Sequence, residues 1–231
     1  MIIAIDGPAG SGKSAVGRRV ADALGLPFVD SGLMYRAVGL LALEHGVALD
    51  DAGALARLAG ATTIRIEGRC VRADGHDYTA DVYRPELSAA ASMVAQVPGV
   101  RFAVVTQLRS LAPSGVVMAG RDIGTVVFPA ARWKFYLTAS AEERARRRAA
   151  QMAERGEHAD PVQLRVEVEE RDRRDADRAV APMRPAGDAV VLETDGMDLP
   201  AVVAEVLRRV GGGTPPDPAA HVPRAERGPD S

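Results

Sequence analysis

Apolar positions recur along the chain with two alternating periods. The short run Ile2–Ile5 predicts a buried strand, and Val16, Val20 and Leu24 then recur at helical spacing. The segment 27–30 predicts a second strand. Since strand and helix signals keep alternating, the chain predicts an α/β fold with a parallel sheet that helices cover on both faces.

The same alternation continues to about residue 210. The further predicted elements are helices at 32–45, 51–59, 85–96, 98–111, 167–178 and 199–210, strands at 115–119, 133–137 and 189–193, and a basic helix that starts at the capping box of Ser140. A polar segment with one glycine, residues 153–160, predicts a mobile lid tip between the last two charged helices.

Two segments depart from this alternation. Between Ala61 and Thr79, Ile64 and Ile66 alternate with polar residues, and glycines mark turns, which predicts two or three short antiparallel strands in an insert of about 61–85. Residues 211–231 are rich in glycine, proline and charge, so we predict a disordered tail. Residues 1–210 are therefore predicted to form a single domain.

The first strand leads directly into a glycine-rich loop with the spacing G-x-x-x-x-G-K-S. Glycines allow backbone N–H groups to converge on a polyphosphate, and the helix that begins near Lys13 adds the positive end of its dipole. Because a strand precedes the motif and a helix follows it, we predict a nucleoside triphosphate site. Lys13 would contact the transferred phosphate, and the Ser14 hydroxyl would bind Mg²⁺. The loop residues predicted to bind are Gly7, Pro8, Ala9, Gly10, Ser11, Gly12, Lys13, Ser14 and Ala15.

Three arginine-bearing segments are predicted to meet at the carboxyl edge of the sheet. Arg36 follows the second strand, and Arg121 with Asp122 follows the third. The third group shares one predicted helix face and consists of Arg171, Arg174, Asp175 and Arg178. A solvated helix with i, i+4 ion pairs would give the same spacing. Phosphoryl transfer needs cations around the transferred group, however, which favours a lid at about 140–178 that closes over phosphates.

Composition narrows the class of protein further. The 231 residues carry a formal charge of −2, which disfavours nucleic acid as a partner. A lone cysteine and four scattered histidines indicate neither a disulfide within the chain nor a zinc site. No apolar run approaches the roughly 20 residues of a membrane span. We therefore expect a cytoplasmic protein without membrane contact and, since no sticky surface patch is evident, a monomer.

Four longer motifs resemble those of the bacterial cytidylate kinase family. They are Asp30-Ser31-Gly32 with Tyr35-Arg36, Ala91-Ser92 with 98–101, the segment 120–129 (GRDIGTVVFP), and 170–175 with Arg178 and Ala181-Pro182. The resemblance covers nearly all of residues 1–210. It implies a P-loop nucleotide kinase fold with a five-stranded parallel sheet, a small antiparallel insert and a helical lid. It also implies phosphorylation of CMP and dCMP by ATP with Mg²⁺.

The resemblance further implies a role for individual residues. Those that read the cytosine edge are Ser92, Arg101 and Asp122, those that hold the acceptor phosphate are Arg36, Arg121 and Arg178, and those near the sugar are Ser31, Arg171 and Asp175. A carboxylate, an arginine and a hydroxyl do complement the amino donor and ring acceptors of cytosine. Lys13, Arg121 and Arg178 are the implied catalytic residues.

The chain departs from the family pattern at two positions. Ala119 stands where the family usually carries an acidic residue next to the metal, so water or Asp122 would have to replace that carboxylate. Leu108 stands where a glutamine usually precedes Arg109.

Two other classes of protein use the same glycine loop. A nucleotide switch would need an N/T-K-x-D segment, and neither Lys13 nor Lys134 has that context. A kinase of another nucleoside monophosphate or small acceptor would fit the lid arginines equally well. It would not explain a serine, an arginine and an aspartate suited to a pyrimidine amino edge.

Overall fold

The described part of the chain contains eight strands, and five of them form a parallel central sheet. The structure is a computed structural model that describes residues 1–84, 86–154, 156 and 160–212. The strands are β1 (Ile2–Asp6), β2 (Phe28–Asp30), β3 (Ile64–Glu67), β4 (Cys70–Ala73), β5 (His76–Asp77), β6 (Val116–Gly120), β7 (Trp133–Thr138) and β8 (Val190–Glu193). The central sheet has the order β2-β6-β1-β7-β8, and each neighbouring pair is parallel. The predicted parallel sheet is confirmed.

Helices cover both faces of this sheet. They are α1 (Lys13–Leu24), α2 (Ser31–Glu44), α3 (Ala52–Ala61), α4 (Leu87–Val94), α5 (Pro98–Ser110), α6 (Ala141–Ala153), α7 (Pro161–Ala176) and α8 (Leu199–Gly211). Ile3 and Ile5 pack in a core with α1 and α8, whereas Ala4 packs in a second core with α2, α4 and α5. Successive strand residues point to opposite faces, so this division shows that β1 is buried on both sides.

The predicted insert is a three-stranded antiparallel sheet. β3 pairs with β4, and β4 pairs with β5, both antiparallel. Ile64, Ile66 and Val71 are buried in the same core as α2, while Arg65, Glu67 and Arg72 beside them are exposed. The alternation of apolar and polar residues therefore reports a sheet with one buried face, as predicted.

The structure differs from the predictions in the bounds of the second lid helix and in an additional element after β6. The lid helix α7 begins at Pro161, with Asp160 as its N-cap, and ends at Ala176, so the predicted placement of Arg178 on the same helix is wrong. Residues 123–127, which were not predicted as an element, form one turn of π-helix after β6. Residues 213–231 of the predicted disordered tail and half of the predicted lid tip, residues 155 and 157–159, fall outside the described ranges.

No single helix among the described residues has both the length and the apolar composition needed to cross a membrane. The pair α4 and α5, bent by 100° at its break, meets the two criteria jointly.

Candidate active site

The glycine-rich loop connects β1 to α1 in the middle of the sheet. Gly7, Gly10 and Gly12 have φ angles of 145°, 77° and 87°, a region that side chains with a Cβ rarely adopt. A Cβ on Gly7 would also overlap the carbonyl oxygen of Leu137 in β7. The backbone of the loop therefore depends on glycine at these positions, as the spacing predicts.

Lys13 lies at the start of α1 with its side chain buried. Its Nζ donates to the carbonyl oxygen of Pro8 at 2.6 Å. Burial lowers the pKa of Lys13 well below its usual value, and the charge of Arg121 lowers it further. An anion beside this ammonium would reverse that penalty, because an opposite charge favours the charged form.

Ser14 contacts a carboxylate that was not among the predicted site residues. Its Oγ donates to Oδ2 of Asp30 at 2.6 Å, and Oδ1 of Asp30 accepts from the Gly32 backbone N–H at 2.9 Å. Hydroxyl and carboxylate oxygens are the ligands that Mg²⁺ prefers. No group of three or more His, Cys, Asp or Glu side chains in the described ranges could hold a metal ion. These two residues therefore fit a metal that takes its other ligands from phosphates and water.

A cleft that is open to solvent lies beside the loop at the carboxyl edge of the sheet. Its lining includes seven predicted site residues, namely Ser31, Ser92, Arg121, Asp122, Arg171, Asp175 and Arg178. Ser31 is buried, and its Oγ donates to the Ala119 carbonyl oxygen at 2.9 Å. Tyr35 and Asp30 also line the cleft; the sequence placed their segment at this edge of the sheet but gave neither residue a role in binding.

Asp122, in the lining of the cleft, belongs to a buried ion pair. Arg101, whose guanidinium lies 5.5 Å from the ring centroid of Tyr35, pairs with the Asp122 carboxylate. Burial raises the pKa of Tyr35, so its hydroxyl stays neutral. Ser92 Oγ and Arg101 Nε are buried without a hydrogen-bond partner. Unpartnered buried donors are costly, so this part of the site is complementary to a polar ligand.

Three arginines, Arg121, Arg171 and Arg178, make the cleft cationic. Arg121 Nε donates to Oδ2 of Asp175 at 2.9 Å, and Arg178 Nε donates to the Asp175 backbone oxygen at 3.1 Å. Burial would raise the pKa of Asp175, but the nearby guanidinium groups outweigh it, and the pKa lies below its usual value. Burial and the charge of Arg121 lower the pKa of Arg171 to about 9. Asp175 thus interacts with three arginines, and Asp122, the other carboxylate that acts on Arg178, is paired with Arg101, which leaves positive charge for an anionic ligand.

Arg36 does not reach this cleft. Its Nη1 donates to the carbonyl oxygens of Val82 at 3.0 Å and Arg84 at 3.3 Å. It lines an adjoining cavity together with Ala9, Gly10, Ser88, Arg148 and Arg171. Since Arg171 lines both spaces, this cavity joins the cleft to the glycine-rich loop.

The two lid helices contact the loop. Arg144 of α6 pairs with Asp172 of α7 and also donates to the Ala9 carbonyl oxygen at 3.1 Å. The Ala9 N–H donates to Oδ1 of Asp172 at 3.3 Å. The lid is therefore held against the loop, and one loop amide is occupied by a protein carboxylate.

A larger cavity lies on the opposite side of the loop. It is lined by residues 10–16 together with Arg146, Arg147, Ala150, Gln151, Thr194, Met197, Leu199 and Val202. Arg147 Nη1 donates to Thr194 Oγ1 at 2.9 Å and so joins α6 to the loop after β8. Sequence reasoning considered Arg146 and Arg147 as lid arginines but missed the other residues that line this cavity together with the loop, because they carry no motif and lie far from the glycines along the chain.

Asp6, at the end of β1, holds the segment that follows β6. Its carboxylate oxygens accept from the backbone N–H groups of Ile123 and Gly124, each at 2.8 Å. Burial raises the pKa of Asp6 to about 6, although both hydrogen bonds oppose the shift. The GRDIG motif is thereby anchored to the strand that carries the glycine-rich loop.

The parallel sheet, the glycine-rich loop at its centre and the cationic cleft beside it define a P-loop phosphotransferase. A family model described as Cytidylate kinase matches residues 3–211. A protein named Cytidylate kinase from Desulforamulus reducens is 49% identical over 215 residues, which cover 91% of this chain and 97% of that protein. Another of that name from Pseudomonas aeruginosa is 42% identical and covers 90% and 93%. The chain belongs to the cytidylate kinase family, as its motifs predict.

Among solved structures, an uncharacterized protein from Eubacterium ventriosum superimposes with a TM-score of 0.51 at 13% identity, covering 92% of this chain and 98% of that one. At this identity the likeness concerns the fold alone.

Proposed function

We propose that this protein transfers the γ-phosphate of ATP to CMP or dCMP, giving ADP and CDP or dCDP for pyrimidine nucleotide metabolism. One observation carries the proposal: the cleft beside the glycine-rich loop brings Asp122, which pairs with the buried Arg101, together with Arg121, Arg171 and Arg178. A carboxylate that can accept from a base and cations that can hold a phosphate match a nucleoside monophosphate. Membership of the family supports the same reaction.

ATP would bind with its phosphates on the loop from Gly7 to Ala15. The cavity next to residues 10–16 supports this placement, because Met197, Leu199 and Val202 offer an apolar surface for a base. Burial lowers the pKa of Lys13, and phosphates bound at the loop would favour its charged form. Mg²⁺ at Ser14 would neutralise phosphate charge as it develops during transfer.

CMP would bind with its base towards Ser92, Arg101 and Asp122. The Asp122 carboxylate can accept from the exocyclic amine, while the serine and arginine face the ring acceptors. The unpartnered Ser92 Oγ and Arg101 Nε support this role, because a bound base would satisfy both. A base without the amino group would leave the carboxylate poorly matched.

The acceptor phosphate would lie among Arg121, Arg171 and Arg178. In the transfer, a phosphate oxygen of CMP forms a bond to the γ-phosphorus, and the bond from that phosphorus to the β–γ bridging oxygen breaks. The attacking oxygen is already anionic, so no general base is required. Lys13, Arg121 and Arg178 stabilise the charge on the transferred group, and lid closure excludes water.

The Arg36 side chain must move if it is to hold the acceptor phosphate. A role in holding the acceptor phosphate requires its guanidinium to leave the carbonyl oxygens of Val82 and Arg84 when CMP binds. Its position in the cavity shared with Arg171 supports this movement over a distant role.

The decisive experiment is an ADP-release assay on purified protein with CMP, dCMP, UMP, AMP and GMP as acceptors. We expect CMP and dCMP to be preferred strongly. Preference for a purine monophosphate would contradict the assignment of the base-binding part of the cleft. We further propose that the protein is a monomer in the cytoplasm; size-exclusion chromatography tests the monomer, and fractionation of cells tests the location. Activity after truncation at residue 212 tests whether residues 1–210 form the catalytic domain.

A further inference from the structure

Asp30 has two hydrogen bonds that connect the two halves of the site. Its Oδ2 accepts the proton of Ser14, the residue at the start of α1, and its Oδ1 caps the first turn of α2 through Gly32. Both carboxylate oxygens are thus held in place by separate donors. A carboxylate fixed in this way can set the orientation of the Ser14 hydroxyl.

The direction of the hydrogen bond to Ser14 matters for a metal. A hydroxyl has one proton and two lone pairs. Because the proton is donated to Asp30, both lone pairs stay available to a cation. This arrangement of an acceptor behind a metal-ligating group is the usual outer-shell partnership in metal sites.

The neighbouring strand offers no carboxylate at the equivalent position. Asp30 and Ala119 are register partners in the parallel pair β2–β6. Phe28 and Ala119 both pack in the core that includes α1, so the side chains of Asp30 and Ala119 point to the face on which Ser14 lies. Ala119 is fully buried and has only a methyl group. Of this in-register pair, Asp30 alone supplies a carboxylate.

The nearby carboxylates are engaged elsewhere. Asp122, one of the expected replacements for an acidic residue at position 119, pairs with Arg101. Asp6 accepts from Ile123 and Gly124 on the opposite face of the sheet. The geometry therefore favours Asp30 over Asp122 as the carboxylate of the metal site.

We propose that Asp30 is a positioning residue for the divalent metal: it holds the Ser14 hydroxyl so that its oxygen faces the cation, and it compensates for the missing carboxylate at Ala119. The inference rests on the proposed binding of MgATP at the loop. It assigns Asp30 an effect on metal affinity that is separate from nucleotide affinity.

Asp30→Asn is the sharpest perturbation, because it keeps the shape of the side chain. An asparagine that still caps α2 through Oδ1 turns its amide N–H towards Ser14. Ser14 must then accept this hydrogen bond, which occupies one lone pair of its hydroxyl oxygen. The substitution also removes the negative charge of the carboxylate. We expect the affinity of the enzyme complex for the metal to fall by about 10- to 100-fold.

The probe is Mn²⁺, titrated by electron paramagnetic resonance into enzyme saturated with a non-hydrolysable ATP analogue, with the analogue alone as the blank. Binding of the analogue without a divalent ion should change little in Asp30→Asn. Asp51→Asn is the matched control, since Asp51 caps α3 through Ala54 in the same way but does not contact Ser14. It should bind Mn²⁺ like the wild type.

A double variant separates an effect through Ser14 from a direct contact with the metal. If Asp30 acts through Ser14, the double variant Ser14→Ala with Asp30→Asn should bind Mn²⁺ within about threefold of Ser14→Ala alone. If the double variant loses Mn²⁺ affinity by the product of the two single losses, Asp30 acts independently of Ser14 and the inference is overturned. Wild-type Mn²⁺ affinity in Asp30→Asn would overturn it as well. If the wild-type complex binds Mn²⁺ no more tightly than the analogue alone, the proposed metal-dependent function fails instead.

Discussion

Replacing Arg178 with methionine separates the stability of the site from its chemistry. The side chain is buried, its Nε donates to the Asp175 backbone oxygen at 3.1 Å, and its Nη2 has no hydrogen-bond partner. Burial lowers the pKa of Arg178, and the charge of Arg101 lowers it further. Keeping this guanidinium charged therefore has a free-energy cost in the folded protein. Methionine fills much of the same volume without a charge.

The expected change in stability is smaller than the expected change in turnover. Loss of one hydrogen bond from a charged donor costs about 1.5–3 kcal/mol, and removal of a penalised buried cation offsets part of it. We therefore expect the free energy of unfolding to change by less than about 2 kcal/mol. An arginine that stabilises a transferring phosphoryl group contributes about 10³-fold or more to turnover, which corresponds to about 4 kcal/mol.

The assays are urea denaturation for stability and ADP release with CMP for turnover. Arg173→Met is the matched control, because Arg173 lies on the adjacent helix α7 but is exposed. It should leave both quantities close to wild type. Turnover within tenfold of wild type in Arg178→Met would refute the role of Arg178 in transfer. A fall in turnover explained entirely by unfolding would refute it as well.

Three further predictions follow from single contacts. Gly7→Ala should yield little folded protein, because φ is 145° and a Cβ would overlap the Leu137 carbonyl oxygen. Gly25→Ala has a positive φ of 65° but open space around it, so it should be destabilised by about 1 kcal/mol and still fold. Thermal denaturation of both variants checks this, and a stable Gly7→Ala would contradict it. Asp122→Asn should lower kcat/KM for CMP by at least about 100-fold while KM for ATP stays within about threefold, and equal losses for both substrates would argue against a role in base recognition. Burial raises the pKa of Asp6 from 3.8 to about 6, so between pH 6 and pH 4 the folded state takes up this proton while the unfolded state does not. As the pH falls over this range, the free energy of unfolding of the wild type should therefore rise by up to about 3 kcal/mol relative to that of Asp6→Asn. Urea denaturation at both pH values measures this, and an equal difference between the two proteins at pH 6 and pH 4 would exclude the linkage.

The predictions made from local pattern are confirmed where a short segment carries its own physical constraint. The loop from Gly7 to Ser14 could be placed because glycine, strand and helix must follow one another within a few residues. The insert could be recognised because Ile64 and Ile66 alternate with exposed residues on a sheet with one buried face. Ser140 caps α6 by accepting from the Glu143 N–H, as its capping box predicts.

Predictions about the site were weaker where they depended on distant contacts. The spacing of the arginines suggested a single helix face, but α7 ends at Ala176, and Arg178 reaches the cleft from the segment that follows. Arg36 was placed with the acceptor phosphate, yet in this structure it binds two backbone carbonyl oxygens.

The sequence by itself therefore determined the order of elements, the phosphate-binding loop and the motifs of the family, since each depends on residues that are close together in the chain. Only the tertiary structure decided which carboxylate faces Ser14, which arginines surround Asp175, and that Thr194 and Met197 border the loop. Those contacts join strands and helices that are many residues apart. Their partners are chosen by strand order and packing, and the amino acid types alone do not encode that choice in any local spacing.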